Sequence, residues 1–424
     1  VRSRRRLAAI ALTWLAAASS PAQRLVAAPQ PADPPLARAA EQLEALRSAT
    51  GVPSLAVAVA LDQRIVFSDA VGYADLESLA PARPSTVYGI GSISKVMTVV
   101  AVMQLVEQDK VGLDDPIQRY VPSFPDRGPD ESPDRGKPIT IWNLLTHTSG
   151  IRHYAPDDFP GEAWSQNVAD YPTFEEAIGI FRDDPLLFEP GAYFLYSSYA
   201  VNLLQGVVET ASGLAFEDYL RRHVWAPAGM LSTAFDRPRR IVPRRARGYA
   251  IVDGEWVRDY PDENVTYKFA SGGMLSTVED LVRFGVAVNG ARLLGRETTE
   301  RMLAPQLHGT REFNGAGPPL EMRWEQALLW RIRRDELDRP YINHCGTVKG
   351  FNACLILYRD EDLVVAIADN GSGGAADLKG ARGFAELFRP RAREDPSEAS
   401  SEPADARSGV DRPRTPVDRL GTPQ

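Results

Sequence analysis

Ser92 and Lys95 stand three residues apart in Tyr88-Gly-Ile-Gly-Ser-Ile-Ser-Lys95, at the head of an apolar run from Val96 to Val106. The run reads as a buried helix, and the spacing sets both side chains on one face, within reach of each other. A serine hydroxyl is a weak nucleophile until a neighbour takes its proton. A lysine amine can do so where burial and nearby positive charge leave it neutral, a state closed to arginine. Lysine is scarce in this chain, with six residues (95, 110, 137, 268, 349 and 379) among 48 Lys plus Arg. Chance would still supply about 0.4 such Ser-x-x-Lys pairs, so the pair needs support from elsewhere.

Two further segments supply it. Tyr196 ends Pro190-Gly-Ala-Tyr-Phe-Leu-Tyr196, just before a second apolar helical run from Tyr199 to Thr210. A phenol there could relay protons between Ser92, Lys95 and a leaving group. His344-Cys-Gly-Thr347 falls on a predicted strand, where alternation puts His344 and Gly346 on one face and Cys345 on the other. Gly346 lets a substrate backbone approach, and the Thr347 amide can join the Ser92 amide as an oxyanion hole.

The elements that must hold these residues are mixed. A helix over 37–48 leads into strands Ser54 to Ala60 and Arg64 to Phe67, which read as a hairpin turning at Asp62-Gln63. A helical, loop-rich stretch covers about 92–235. Strands return at Tyr341 to Val348, Phe351 to Arg359 and Leu363 to Asp369, followed by a helix near Ala375 to Phe388. This order predicts an α/β (α+β) fold in which the first and last strands share an antiparallel sheet flanked by helices, with a mostly helical subdomain inserted. The seam between them is a natural cleft.

Composition narrows the function. Of 424 residues, 44% are hydrophobic and 25% charged, and Lys plus Arg minus Asp plus Glu is 48 − 56 = −8. That balance fits a globular enzyme or binding protein and argues against nucleic acid as a partner. Residues 1–22, a basic start, a short apolar run and a small-residue exit, read as a signal peptide. The run is shorter than the roughly 20 residues of a spanning helix, so no stable membrane anchor is expected after cleavage. The expectation is an exported protein, periplasmic or secreted from a bacterium. Residues 23–35 read as a linker, 36–389 as the catalytic domain and 390–424 as a disordered tail, whose six Arg and seven Asp plus Glu from Arg391 onward come without an aromatic residue. Cys345 and Cys354 could face each other across a turn at Lys349-Gly350, as free thiols or as a disulfide. No Gly-x-Ser-x-Gly elbow, phosphate loop, dinucleotide fingerprint or His-Glu-x-x-His helix is present. The five histidines (147, 153, 223, 308 and 344) are scattered along the chain, and His147 reads as structural.

Taken together, Ser92-x-x-Lys95, Tyr196-Ser-Ser198 and His344-x-Gly346 resemble the serine β-lactamase and penicillin-binding-protein superfamily, in its class C β-lactamase branch. Leu144-Leu-Thr-His-Thr-Ser-Gly150, Gly272-Gly-Met-Leu-Ser-Thr277 and Asp369-Asn370 extend the likeness over most of residues 40–389. Within that branch, Ser149-Gly-Ile-Arg-His-Tyr154 and Tyr267-Lys268 are most similar to the mitochondrial serine β-lactamase-like proteins and their bacterial relatives. The resemblance implies a β-lactamase/transpeptidase-like fold and a serine hydrolase, with Ser92 as acylated nucleophile, Lys95 as its base and Tyr196 as proton relay. Ser198, His344 and Gly346 would contact substrate.

Two departures bear on substrate. The family's Tyr-x-Asn ends here in Ser198, and the Lys that usually opens the third motif is His344, a weaker anchor for a carboxylate. Both count against efficient penicillin hydrolysis. The expected function is therefore an acyl-enzyme peptidase, the alternatives being an esterase, a weak β-lactamase or penicillin-binding carboxypeptidase, or a catalytically idle binding or filament-forming protein. Its substrate would be a peptide, ester or β-lactam. No metal or organic cofactor is required by this chemistry, and a homo-oligomer is left open.

Overall fold

The computed structural model describes residues 34–125, 136–155, 158, 167–258 and 263–389. The expected signal peptide, nearly all of the 23–35 linker and the tail over 390–424 lie outside the described residues. Eight strands form the main sheet: β1 (Ser54–Leu61), β2 (Arg64–Asp75), β3 (Ala80–Pro81), β4 (Glu325–Gln326), β5 (Arg331–Arg334), β6 (Pro340–Val348), β7 (Phe351–Tyr358) and β8 (Leu363–Asp369). Their order is β4-β5-β6-β7-β8-β1-β2-β3, every neighbour antiparallel. First and last segments do share the sheet, with Leu55 opposite Asp369 and Val57 opposite Ile367. Both hairpin turns have two residues at positive φ, Asp62 and Gln63 between β1 and β2, Lys349 and Gly350 between β6 and β7. That backbone twist matches the strands it joins. The β2 strand runs eight residues past its expected end at Phe67, because pairing with β1 continues through polar Ser68 and Asp69 to Gly72.

The helices that support the site are α1 (Pro34–Thr50), α2 (Ser94–Glu107), α3 (Ser198–Ser212), α4 (Val278–Asn289) and α5 (Leu378–Phe388). Both sheet faces are covered, which is why β1, β7 and β8 are apolar on both sides. Leu55, Val57 and Val59 pack with Ile367 and Val365 against Leu43 of α1 and Phe384 of α5. The opposite face offers Ala56, Ala58, Ala60, Ala366 and Ala368 to the other layer. Small side chains there let α4 lie close: a methyl on Gly285 would come 2.6 Å from Val364. In α2 every residue from Ser94 to Met103 is buried, so this part of the helix has no wet face. Lys95 enters the interior with it.

Two buried polar residues close the sheet at the end of β8. The Asn370 Oδ1 accepts from the Ser54 amide and hydroxyl, each at 2.7 Å, while its Nδ2 donates to carbonyls of Tyr73, Ala74 and Arg247. The Asp369 carboxylate accepts from Asn352 Nδ2 (3.0 Å) and from the amides of Gly371 (3.2 Å) and Ala376 (2.7 Å). Burial outweighs these bonds and pushes its pKa up to about 6. A native carboxyl that holds its proton more tightly than the unfolded one favours folding at low pH. That contribution is full below an unfolded value near 3.8 and is lost as pH rises through about 6. The stability of wild type relative to Asp369→Asn should therefore fall by up to about 3 kcal/mol between pH 4 and pH 7 in urea unfolding. A difference that stays flat over this range would show that Asp369 titrates at its ordinary value.

Candidate active site

A 3-10 turn at Gly91–Ile93 feeds directly into α2 and carries Ser92. Strand β6 lies against this turn backbone to backbone. A Cβ on Gly346 would collide with the Ile90 carbonyl oxygen and the Ser92 amide nitrogen, and one on Gly91 would sit 2.6 Å from the Thr347 amide nitrogen. The paired glycines bring the two expected oxyanion donors, the Ser92 and Thr347 amides, to one seam between helical layer and sheet.

The Lys95 Nζ lies 3.1 Å from Ser92 Oγ, 2.9 Å from Ser198 Oγ and 2.7 Å from the Ser271 carbonyl oxygen, and the residue is 0% exposed. Only the carbonyl must accept. The two hydroxyls can reverse direction, so a neutral amine can take the Ser92 proton on its lone pair without orphaning a partner. Burial, reinforced by the charges of Arg331 and Lys268, lowers the Lys95 pKa despite the opposing pull of Tyr196. The Tyr196 hydroxyl donates to Ser92 Oγ at 2.8 Å, and the Lys95 Nζ lies 4.9 Å from its ring centre. Burial alone would raise that phenol. The charges of Lys95 and Arg331, with the hydrogen bond to Ser92, outweigh burial and bring it below the ordinary tyrosine value. Ser92, Lys95 and Tyr196 thus form one hydrogen-bonded cluster.

Tyr196 sits directly before Ser197, whose side chain caps α3 by accepting from the Ala200 amide at 3.0 Å. Three of the scattered histidines converge on the Tyr196 ring, with centres 4.6 Å (His147), 5.5 Å (His153) and 6.4 Å (His344) away. His147 Nδ1 accepts from the Ser197 amide, and His153 Nδ1 from the Ser198 amide. Burial keeps all three rings uncharged: His153 is pushed down to about 3, and His147 and His344 go well below the ordinary histidine value. They wedge the phenol without adding charge.

His344 departs from its expected place against substrate. Its Nδ1 turns back to donate to the Cys345 carbonyl at 2.8 Å, and the ring is 1% exposed behind Tyr196. Ser198 lines the cleft, with its hydroxyl on Lys95. Gly346 and Thr347 line it as well. Cys345 and Cys354, opposite each other in the β6–β7 register, are joined as a disulfide at the cleft wall.

The cleft encloses about 320 Å³ and is also lined by residues to which the sequence pattern assigned no role. Arg331 of β5 faces it, over the Tyr196 ring. Lys268 lines it too, buried and paired with buried Glu263 at 2.9 Å. His153 and Tyr154 reach it from a loop held by Arg152, which forks onto Asp158 (2.7 and 2.8 Å) and also bonds Asp184 (2.7 Å). The only legible trace of these was the Ser149–Tyr154 and Tyr267-Lys268 likeness. A larger cavity of about 510 Å³ around Phe216, Phe235 and Phe269 contains none of the Ser92 cluster. Among the described residues, no three His, Cys, Asp or Glu side chains converge as metal ligands would.

The glycine seam gives a matched test. Gly346→Ala should destabilise the protein by roughly 1–3 kcal/mol through overpacking. Gly272→Ala, also in the cleft but with its nearest added contact at 3.7 Å, should be tolerated. Equal urea midpoints for the two variants would contradict the close approach of β6 to the Ser92 turn.

Comparison with known proteins places this geometry. Residues 36–388 match the family model described as Beta-lactamase. The human serine beta-lactamase-like protein LACTB, mitochondrial, is 29% identical over 414 residues, covering 78% of this chain and 75% of that protein. The putative penicillin-binding protein PbpX of Bacillus subtilis is 30% identical over 250 residues, covering 57% of this chain and 56% of its own length. Among solved structures, the octameric penicillin-binding protein homologue from Pyrococcus abyssi superposes with a TM-score of 0.68 at 26% identity, covering 82% of this chain and 77% of that one. A D-stereospecific amidohydrolase from Streptomyces shares the fold at a TM-score of 0.66 and 21% identity, covering 81% of this chain and 97% of its own. The family match spans the sheet, the helical layer and the whole Ser92, Lys95 and Tyr196 cluster between them, and the chain belongs to the β-lactamase family.

Proposed function

We propose that this chain is an acyl-enzyme serine hydrolase whose preferred bond is an amide, which makes it a peptidase. The observation that carries the reading is the dry Lys95 amine 3.1 Å from Ser92 Oγ, with the Tyr196 hydroxyl 2.8 Å from that same oxygen. Ser92 Oγ attacks the substrate carbonyl carbon as its proton passes to neutral Lys95 Nζ. The oxygen that becomes negative takes hydrogen bonds from the Ser92 and Thr347 amides. As the tetrahedral centre collapses, the bond to the leaving group breaks and Tyr196 gives that group a proton. The neighbouring Lys95 ammonium then restores the phenol proton. Water then attacks the ester carbonyl as Lys95 takes its proton, and when the bond to Ser92 Oγ breaks that proton passes to the departing oxygen, releasing the carboxylic acid and the free Ser92 hydroxyl.

An amine leaves only when protonated, whereas an ester's leaving group is better on its own. A phenol bonded to the nucleophile and more acidic than an ordinary tyrosine supports amide cleavage for that reason. The basic and apolar pattern over 1–22 supports export. The octamer named for the Pyrococcus abyssi homologue supports a homo-oligomeric assembly here too.

Labelling with a fluorophosphonate, read by intact mass and peptide mapping, tests the nucleophile. Wild type should take one label, on Ser92, and Ser92→Ala none; a label on another residue would reject the assignment. Lys95→Arg, which keeps a cation but cannot be neutral, and Tyr196→Phe should each slow amide turnover by roughly 10²–10⁴-fold. Because a protonated amine cannot accept a proton, the rate of labelling should rise with pH through the Lys95 pKa. Its midpoint should lie below the ordinary lysine value of 10.5.

A further inference from the structure

Most arginines that reach into this fold are matched by a carboxylate. Arg152 is held by Asp158 and Asp184, Arg245 by Asp236, Arg283 by Asp280, Arg339 by Asp335 and Arg359 by Glu300. Arg331 differs. It is half-buried on β5, opposite Asn343 of β6, and its side chain has no hydrogen bond or ion pair among the described residues. Its guanidinium carbon lies 5.2 Å from the Tyr196 ring centre and 5.1 Å from that of Trp324. Two aromatic faces hold the group in place and leave its N–H edge unused.

Among the described residues, nothing around it supplies a neutralising carboxylate. Among the described residues, the side chains lining the cleft include two cations, Lys268 and Arg331, and no Asp or Glu. Lys268 is matched by Glu263, so among the described residues the uncompensated charge of the cleft belongs to Arg331. A half-buried cation without a partner is a costly arrangement unless something else completes it. The strand position that carries a Lys in the family pattern cannot supply that charge here, since His344 is buried, uncharged and turned onto the Cys345 carbonyl. The cation comes from the next strand, over the Tyr196 ring.

We propose that Arg331 determines specificity by forking a carboxylate on the substrate close to the scissile bond, so that the enzyme selects anionic acyl donors. This rests on the hydrolase reading above and adds the substrate class to it. A planar guanidinium fixed between rings suits two parallel N–H···O bonds to one carboxylate, which a neutral amide or methyl ester cannot reproduce.

The test is a series of p-nitrophenyl monoesters of linear dicarboxylic acids, from glutarate to suberate, each compared with its methyl-capped counterpart after subtraction of spontaneous hydrolysis. At the best chain length, wild type should favour the free carboxylate by about tenfold or more in kcat/KM. Arg331→Gln should bring that ratio to about one, and Arg331→Lys should retain part of it. A wild-type ratio near one throughout the series overturns the proposal without relying on any variant. So does an Arg331→Gln enzyme that loses equal activity on both members of a pair, which would mean that Arg331 acts only by acidifying Tyr196. Parallel fluorophosphonate labelling separates the two readings: a labelled Ser92 with no carboxylate preference rejects this proposal alone, and an unlabelled Ser92 rejects the hydrolase reading and this one with it.

Discussion

An amine kept out of water is the constraint from which the chemistry of this molecule follows. Moving an ammonium into a protein interior costs several kcal/mol even after relaxation. The Lys95 environment offsets that with three oxygens, one a carbonyl and two hydroxyls. Hydroxyls serve either protonation state, so neither form of the nitrogen is trapped. A rigid acceptor such as a carboxylate would have locked the proton on Lys95. Ser198, where the family pattern has an amide side chain, adds to this reversibility.

Two bodies of structure meet at that nitrogen. Helix α2 is buried all round from Ser94 to Met103, which carries Lys95 inward. The sheet, closed by Asn370 across Ser54, Tyr73, Ala74 and Arg247, holds β6 at a fixed distance from the Ser92 turn. Between them the uncharged rings of His147, His153 and His344 pin Tyr196. Charged rings there would oppose the ammonium form of Lys95 and pull the phenol proton off early.

What could be read from residue order was what depends on short-range periodicity. The Ser92–Lys95 spacing, the buried helix behind it, the β6–β7 and β7–β8 hairpins and the shared sheet all follow from patterns of two or of three to four residues. The end of β2 was misplaced because polar side chains interrupted the pattern while the backbone ladder went on. For His344, alternation gave the side of the strand but not the depth at which the ring would lie. Arg331, Lys268 with Glu263, and the meeting of three histidines were beyond reach, since each depends on elements brought together from distant parts of the chain. Nothing local distinguishes Arg331 from its neighbour Arg333. The cysteines were left open between two states because geometry across the hairpin decides the bond.

The pairing of β1 with β8 also bears on how the protein is made. Leu55 and Asp369 are neighbours in space but lie at opposite ends of the folded region, so this ladder has very high contact order. A ribosome delivers Ser92 and Lys95 long before the strands that confine them. Until the last strand arrives, the β1–β2 hairpin exposes an apolar edge to whatever else is unfolded nearby. The Ser92, Lys95 and Tyr196 cluster therefore stays unassembled in the nascent polypeptide, and comes together only once synthesis of the domain is essentially complete.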